Sequence, residues 1–167
     1  RDTDELTKLL TKNAIERKIK RYMELTPSKP AMMLVIDLDN FKHINDTFGH
    51  AYGDAVLRLM GECIRSNFRE DAYKGRFGGD EFVVFLPGID DKQQVVTYVN
   101  NLVEMMKAHV RTPESANPVH GSIGIALYPK HASTYEELFK KADEALYASK
   151  ERGKDRYTFY ISKEVLK

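Results

Sequence analysis

Apolar residues recur at Ile15, Ile19, Tyr22 and Met23, the spacing of one helix face, and Thr11 stands where an N-cap belongs. Arg17, Lys18, Lys20 and Arg21 lie among them and read as a solvated basic face. Leu25-Thr26-Pro27-Ser28-Lys29-Pro30 ends that helix. Ala31 to Ile36 is a continuous apolar run, which predicts a strand buried on both faces, and it closes in Asp37-Leu38-Asp39. A polar loop is expected from there to Gly53. Val56, Leu57, Met60, Cys63 and Ile64 then predict an amphipathic helix with Asp54 at its start. Strands are predicted near 72–77 and 81–86. Gly78-Gly79 between them is a tight-hairpin signal, because primed turns need positive φ. Val95, Val99, Leu102, Val103 and Met106 mark another helix, and alternation predicts a strand over 119–127. Thr134-x-x-Glu137 is a capping box opening a helix whose core face is Tyr135, Leu138, Phe139, Ala142, Ala145 and Leu146. A charged turn around Gly153 leads to a last edge strand at 157–161.

The centre of this order is βαββαβ, the ferredoxin-like split arrangement of an α+β sandwich. Its geometry is predictive. The first and second core strands run parallel through a right-handed crossover, and the third slots between them antiparallel. The end of the first strand, with Asp37 and Asp39, then lies beside the start of the third, with Asp80 and Glu81. Strand alternation is expected to point Asp80 and Glu81 to opposite sides.

The 167 residues fit one domain. With 42% hydrophobic and 31% charged residues the chain is an ordinary globular one, not disordered, collagenous or disulfide-rich. A net charge of +1 gives no general field for nucleic acid or an anionic membrane, so neither is an expected partner. The single cysteine, Cys63, sits on the apolar face of its helix and reads as core in a reducing compartment. The apolar run at 31–36 is far short of the ~20 residues of a membrane span. The opening Arg1-Asp2-Thr3-Asp4 is neither an initiator Met nor a signal peptide, which suggests a domain excised from a longer protein.

Carboxylates gathered at one sheet edge repel each other and raise one another's pKa values. A hard divalent cation, Mg²⁺ or Mn²⁺, resolves this and leaves positions for substrate phosphates. Asp37 and Asp80 are the candidates for that role, while Asp39 also reads as a turn residue bonding nearby backbone N–H groups.

Gly78-Gly79-Asp80-Glu81-Phe82 resembles the signature of the GGDEF family, the diguanylate cyclases. With it come Asp4-x-Leu6-Thr7-x-Leu9, Asp37-x-Asp39-x-Phe41-Lys42-x-Ile44-Asn45-Asp46, Gly49-His50, Gly53-Asp54 and Arg76. Ser122-x-Gly124-x-Ala126-x-x-Pro129, Ala142-Asp143-x-Ala145-Leu146-Tyr147 and Lys150-x-x-Gly153 complete the match over almost the whole chain. The resemblance implies a nucleotidyl-cyclase, palm-like βααββαβ core with a mostly antiparallel sheet flanked by helices. It also implies condensation of two GTP molecules to cyclic di-GMP across two facing copies of the domain. It implies an upstream sensor domain and a cytoplasmic location, on its own or as the cytoplasmic part of a membrane-bound sensor.

Carried over residue by residue, Asp37 and the Leu38 carbonyl resemble the metal site. Asp80 resembles the acid that binds metal and helps deprotonate the 3′-hydroxyl, and Glu81 either ligates a second metal or orients the turn. Gly78 and Gly79 serve the turn, the close approach of nucleotide, or both. Asn45 and Asp54 resemble the guanine-reading pair: a carboxylate offers two acceptors to the two donors of guanine's Watson–Crick edge, and adenine offers no such pair. Lys42, Lys150 and Lys154, with the backbone of Asn40 and Phe41, resemble phosphate ligands.

The chain departs from the family at Lys8, Thr11 and Lys12, where Gly and Asn-Arg are usual, and at Lys154, where Arg is usual and a bidentate fork is lost. The product-inhibition motif Arg-x-x-Asp falls on Arg69 and Ala72, so that site is expected to be degenerate. These departures leave one alternative: a catalytically silent GTP-binding or dimerising module.

Overall fold

The computed structural model describes residues 1–111 and 117–162. Its elements are β1 (Leu10–Thr11), α1 (Lys12–Leu25), β2 (Ala31–Leu38), α2 (Phe41–Phe48), α3 (His50–Asn67) and β3 (Tyr73–Gly78). They continue with β4 (Glu81–Pro87), α4 (Lys92–His109), β5 (Gly121–Tyr128), α5 (Tyr135–Glu151) and β6 (Arg156–Phe159). The strands form one sheet in the order β1-β3-β4-β2-β5-β6. The expected βαββαβ core is present: β2 pairs antiparallel with both β4 and β5, and the β3–β4 hairpin puts β4 between β2 and β3. The outer pairs β1–β3 and β5–β6 are parallel.

Each face of the sheet carries its own core. Met32, Leu34 and Ile36 of β2 meet Val56, Met60 and Ile64 of α3 and Val95, Val99 and Leu102 of α4. Met33 and Val35 meet Ile15 and Ile19 of α1 and Leu138, Ala142 and Leu146 of α5. A strand covered on both sides needs apolar side chains at every position, which is why Ala31 to Ile36 shows no alternation. Asp37 falls on the α1–α5 face, in step with Met33 and Val35. Helix α5 lies unusually close to the sheet at Gly124: a Cβ there would stand 2.1 Å from Ala142 O and 2.1 Å from Leu146 N.

The structure corrects the sequence reading in four places. The expected polar loop before Gly53 is mostly helix: α2 buries Phe41, packs Ile44 partly against the core and leaves Phe48 exposed among otherwise polar positions. Asp54 therefore lies one turn inside α3, which begins at His50. Strand β1 is two residues long, too short to leave a pattern. In the signature, Gly78 (φ 118°) and Gly79 (φ 52°) both take the left-handed region, but the two-residue loop is Gly79-Asp80, with Gly78 paired to Glu81. The strand predicted over 119–127 starts at Gly121 and ends at Tyr128.

The caps were read from sequence as the structure has them. Thr11 accepts from the Ala14 N–H, and Thr134 accepts from the Glu137 N–H at 3.2 Å. Glu137 reaches back to the N–H of Ser133, not to that of the cap itself. Lys8, which stands where the resembling family carries Gly, holds φ 65°. Among the described residues no helix is long and apolar enough to cross a membrane.

Candidate active site

Two groups of functional side chains lie on the edge where β2 ends. The first is built on β2, the β3–β4 turn and α5. Asp37 faces Glu81 directly across the β2–β4 ladder, and residues opposite each other share a face. Asp80 sits in the turn, where its carbonyl accepts from the Leu38 N–H at 3.2 Å. Alternation therefore does not separate Asp80 from Glu81, and both carboxyls crowd Asp37, contrary to the expectation of opposite sides. The Asp37 side chain is 14% exposed. Its Oδ2 accepts from Lys150 Nζ of α5, while Oδ1 is buried without a hydrogen-bond partner.

The electrostatics follow from this crowding. Burial, then the hydrogen-bonding contact and negative charge of Asp37, raise the Asp80 carboxyl to about 7. Burial, then Asp143 and Asp37, raise Glu81 as well. Burial works against the charged Lys150 amine, but its bond to Asp37 and the charges of Asp37, Asp80 and Glu81 outweigh that, and it is held above its ordinary value. Lys150 is thus the counter-ion of the carboxylate group. Asp143, one helical face along α5 from Lys150, is a fourth acid that the site analysis by sequence passed over. Burial raises its carboxyl too. Its only signal was its place in the Ala142-Asp143 motif.

Asp39 does not join this group. Its Oδ1 accepts from Ser122 Oγ at 2.6 Å and its Oδ2 from the Asp155 N–H at 2.9 Å. It ties the turn after α5 to the β2–α2 corner, so in place of the nearby backbone N–H groups expected for a turn residue it bonds partners 83 and 116 positions away. The same turn brings Lys154 Nζ to Asn40 Oδ1 at 3.0 Å. Asn40 enters α2 at φ 59°.

The second group is built on α2 and α3. Asn45 is half-buried and its carboxamide lies on α3 at Gly53, beside the exposed Asp54. Phe41, buried, supports them. Lys42 turns outward: its side chain is 91% exposed and pairs with Asp46 at 3.0 Å. The structure therefore brings together Asp37, Asp80, Glu81 and Lys150, then Asn40 and Lys154, then Asn45 and Asp54, and leaves Lys42 apart.

Arg76 anchors the signature turn from behind. It donates to the Gly79 carbonyl from Nε (3.0 Å) and Nη2 (2.8 Å) and pairs with Asp4 at 3.3 Å. Burial opposes the charged form of Asp4, but bonds from Thr7 and the Arg76 charge outweigh it and lower its pKa. The opening Asp4-x-Leu6-Thr7 motif is thereby joined to the turn that carries Asp80. Elsewhere, Arg69 is engaged by Asp71 at 3.2 Å and by the Pro87 carbonyl at 2.8 Å, and Ala72 is buried.

The sequence pattern of the family described as "Diguanylate cyclase, GGDEF domain" matches residues 1–156. The chain is 37% identical over 157 residues to the diguanylate cyclase DosC of Escherichia coli, covering 92% of this chain and 34% of that protein. It is 35% identical over 154 residues to the diguanylate cyclase TpbB of Pseudomonas aeruginosa, covering 90% of this chain and 35% of that one. It thus spans about a third of the length of these relatives. Among solved structures, the GGDEF domain of TpbB from Pseudomonas aeruginosa superposes with a TM-score of 0.88 at 33% identity, over 95% of this chain and 94% of that one. The GGDEF domain of DgcB from Caulobacter crescentus, solved in complex with c-di-GMP, superposes with a TM-score of 0.86 at 29% identity, over 96% of each.

Proposed function

The chain belongs to the GGDEF, or diguanylate cyclase, domain family, and from that premise we propose that it condenses two GTP molecules into cyclic di-GMP. The observation that carries this reading is the pairing of two half-sites on one edge: converging carboxylates at Asp37, Asp80 and Glu81, and the Asn45–Asp54 pair on the neighbouring helices. One domain holds one nucleotide, so a second copy of the domain must face it. Each 3′-oxygen then forms a bond to the α-phosphorus of the other GTP. The bond from that phosphorus to the β-bridging oxygen breaks, and pyrophosphate leaves, twice per cycle.

The residues fit a hard divalent cation. Asp37 Oδ1 is a buried acceptor with no hydrogen-bond partner, in a group of mutually repelling carboxylates. Among the described residues no three His, Cys, Asp or Glu side chains form a metal cage. Asp37, Asp80 and the Leu38 carbonyl would hold the ion, with Glu81 beside them and positions left for phosphate oxygens. Mg²⁺ or Mn²⁺ there supplies charge neutralisation at phosphorus and acidifies the attacking hydroxyl.

The chain's own residues do the rest. Asp80, at the turn beside Asp37, is the group placed to accept the 3′-hydroxyl proton. Asp54 and Asn45 read guanine and reject adenine, which would leave the Asp54 charge unpaired. Lys150 and Lys154, the backbone N–H groups of Asn40 and Phe41, and Lys42 once it leaves Asp46, hold the triphosphate. Gly78 and Gly79 keep the turn bare for the nucleotide; a Cβ at either would meet nothing within 4 Å, so their left-handed φ is what selects glycine. The product-inhibition site is degenerate, since Arg69 is committed to Asp71 and Pro87 and Ala72 offers no carboxylate.

The test is incubation with GTP and Mg²⁺ over a range of protein concentrations. Cyclic di-GMP forms, its rate per domain rises with concentration, and Asp80→Asn abolishes it. No product at any concentration, including in forced dimers, would leave the silent GTP-binding module as the function.

A further inference from the structure

We propose that Gly53 is a positioning residue of the base-reading pair, present because the Asn45 carboxamide occupies the space of a side chain at that position. The proposal rests on the guanine reading above and assigns a residue which that reading leaves out.

Gly53 lies in the first turn and a half of α3, and its φ is not in the left-handed region. Conformational freedom therefore does not explain it. A glycine with helical dihedrals weakens a helix by about 1 kcal/mol against alanine, so some other contact must favour it. The contact is close. A Cβ on Gly53 would stand 1.8 Å from Asn45 Oδ1, 2.9 Å from Asn45 Cγ and 3.3 Å from Phe41 Cζ. The carboxamide thus points its oxygen end-on at the bare backbone of α3, one residue from Asp54.

The backbone holds it there from the other side. The Asn45 carbonyl accepts from the Gly49 N–H at 2.8 Å, and the Gly49 carbonyl accepts from the Gly53 N–H at 3.1 Å. Glycines 49 and 53 thereby fix where Asn45 begins and where its side chain ends. The Asp54 carboxylate supplies two acceptors, and the carboxamide adds a donor and an acceptor at a set distance from them. An alanine at 53 would push the carboxamide off by more than an ångström. Hydrogen bonds tolerate only a few tenths of an ångström, so the joint recognition of one base would be lost.

The experiment is a double-mutant cycle on binding of the α,β-methylene analogue of GTP, which cannot release pyrophosphate, in the presence of Mg²⁺. G53A is expected to weaken binding about tenfold, the scale of one hydrogen bond lost from a binding site. N45A should weaken it by a similar factor. In N45A/G53A the clash is gone, so the second substitution costs no further affinity, and its melting temperature rises above that of N45A as helix propensity dictates. The cycle remains informative if G53A alone folds poorly, because the double variant keeps only the 3.3 Å contact with the end of the Phe41 ring, which a few tenths of an ångström of movement relieve. Native-like binding by G53A, or an equal loss on adding it to N45A, would overturn the proposal. Native-like binding by N45A would withdraw the guanine reading beneath it.

Discussion

Replacing Gly124 by alanine tests the closest backbone contact at any glycine among the described residues and, through it, the geometry of the site. A Cβ at 124 would stand 2.1 Å from the Ala142 carbonyl oxygen and 2.7 Å from Leu146 Cα, all of it helix backbone. Those contacts lie roughly 0.8–1.4 Å inside the ~3.5 Å at which such atoms normally pack. Backbone cannot rotate away as a side chain can, so α5 must retreat as a body. Overpacking of this kind costs about 3 kcal/mol, the upper end of its usual range. For a domain of this length that lowers the melting temperature by roughly 6–12 °C. Helix α5 also carries Lys150 and Asp143, so its retreat draws the counter-ion off Asp37. A displacement near 1 Å at a reacting centre costs about a hundredfold in turnover. The control is Gly75→Ala, whose Cβ would meet the Ile15 side chain at 3.1–3.2 Å, a contact that a shift of a few tenths of an ångström relieves. Thermal melts and initial rates of cyclic di-GMP formation on both variants read the two effects. A G124A chain that melts with the native protein, or no lower than G75A, would refute this account of how α5 seats on the sheet.

Two further outcomes follow from the charges. Lys150→Gln removes the partner of Asp37, and because the pair is partly solvated the loss of metal-free stability is about 1–3 kcal/mol; unfolding in denaturant with chelator should show it, excess Mg²⁺ should stabilise this variant more than the native chain, and equal stabilisation of both would count against Lys150 as counter-ion. Asp80 titrates near 7 folded against 3.8 for the free group, so its contribution is fully present below about pH 4 and lost as pH rises towards about 7; metal-free melting temperatures should fall across that window in the native protein relative to Asp80→Asn, and parallel curves would contradict the crowding at Asp37.

What could be read from the chain depended on how locally each feature is encoded. Strands β2 and β4 were legible because central strands are covered on both faces and so need unbroken apolar runs. Asp37 and Glu81 met as the split βαβ topology requires, since register follows once the strand order is known. Helix α2 is only two turns long, and Phe41, Ile44 and Phe48, though spaced i, i+3 and i+7, are outnumbered by polar residues that read as loop. The opposed directions expected for Asp80 and Glu81 failed because the turn begins one residue later than the Gly-Gly pair suggests. Lys42, placed with the phosphate ligands by resemblance, pairs with Asp46 one helical turn on, a contact its i,i+4 spacing makes legible. Asp143 and Gly53 act through contacts with residues seven to more than a hundred positions away, and only their places in the Ala142-Asp143 and Gly53-Asp54 motifs mark them.

Strand β2 is hydrogen-bonded along both edges and buried on both faces. Its amides exchange with solvent only when the whole domain opens, and Asp37 inherits that stiffness. Helix α2 seats one fully buried side chain, Phe41, and one partly buried, Ile44, between Asn40 and Gly49, both at positive φ, so it opens at lower cost than β2. On the proposed reading the edge joins a rigid anvil for the phosphates to a more yielding jaw for the base. A nucleotide would then be admitted or released through the jaw, without disturbing the carboxylates.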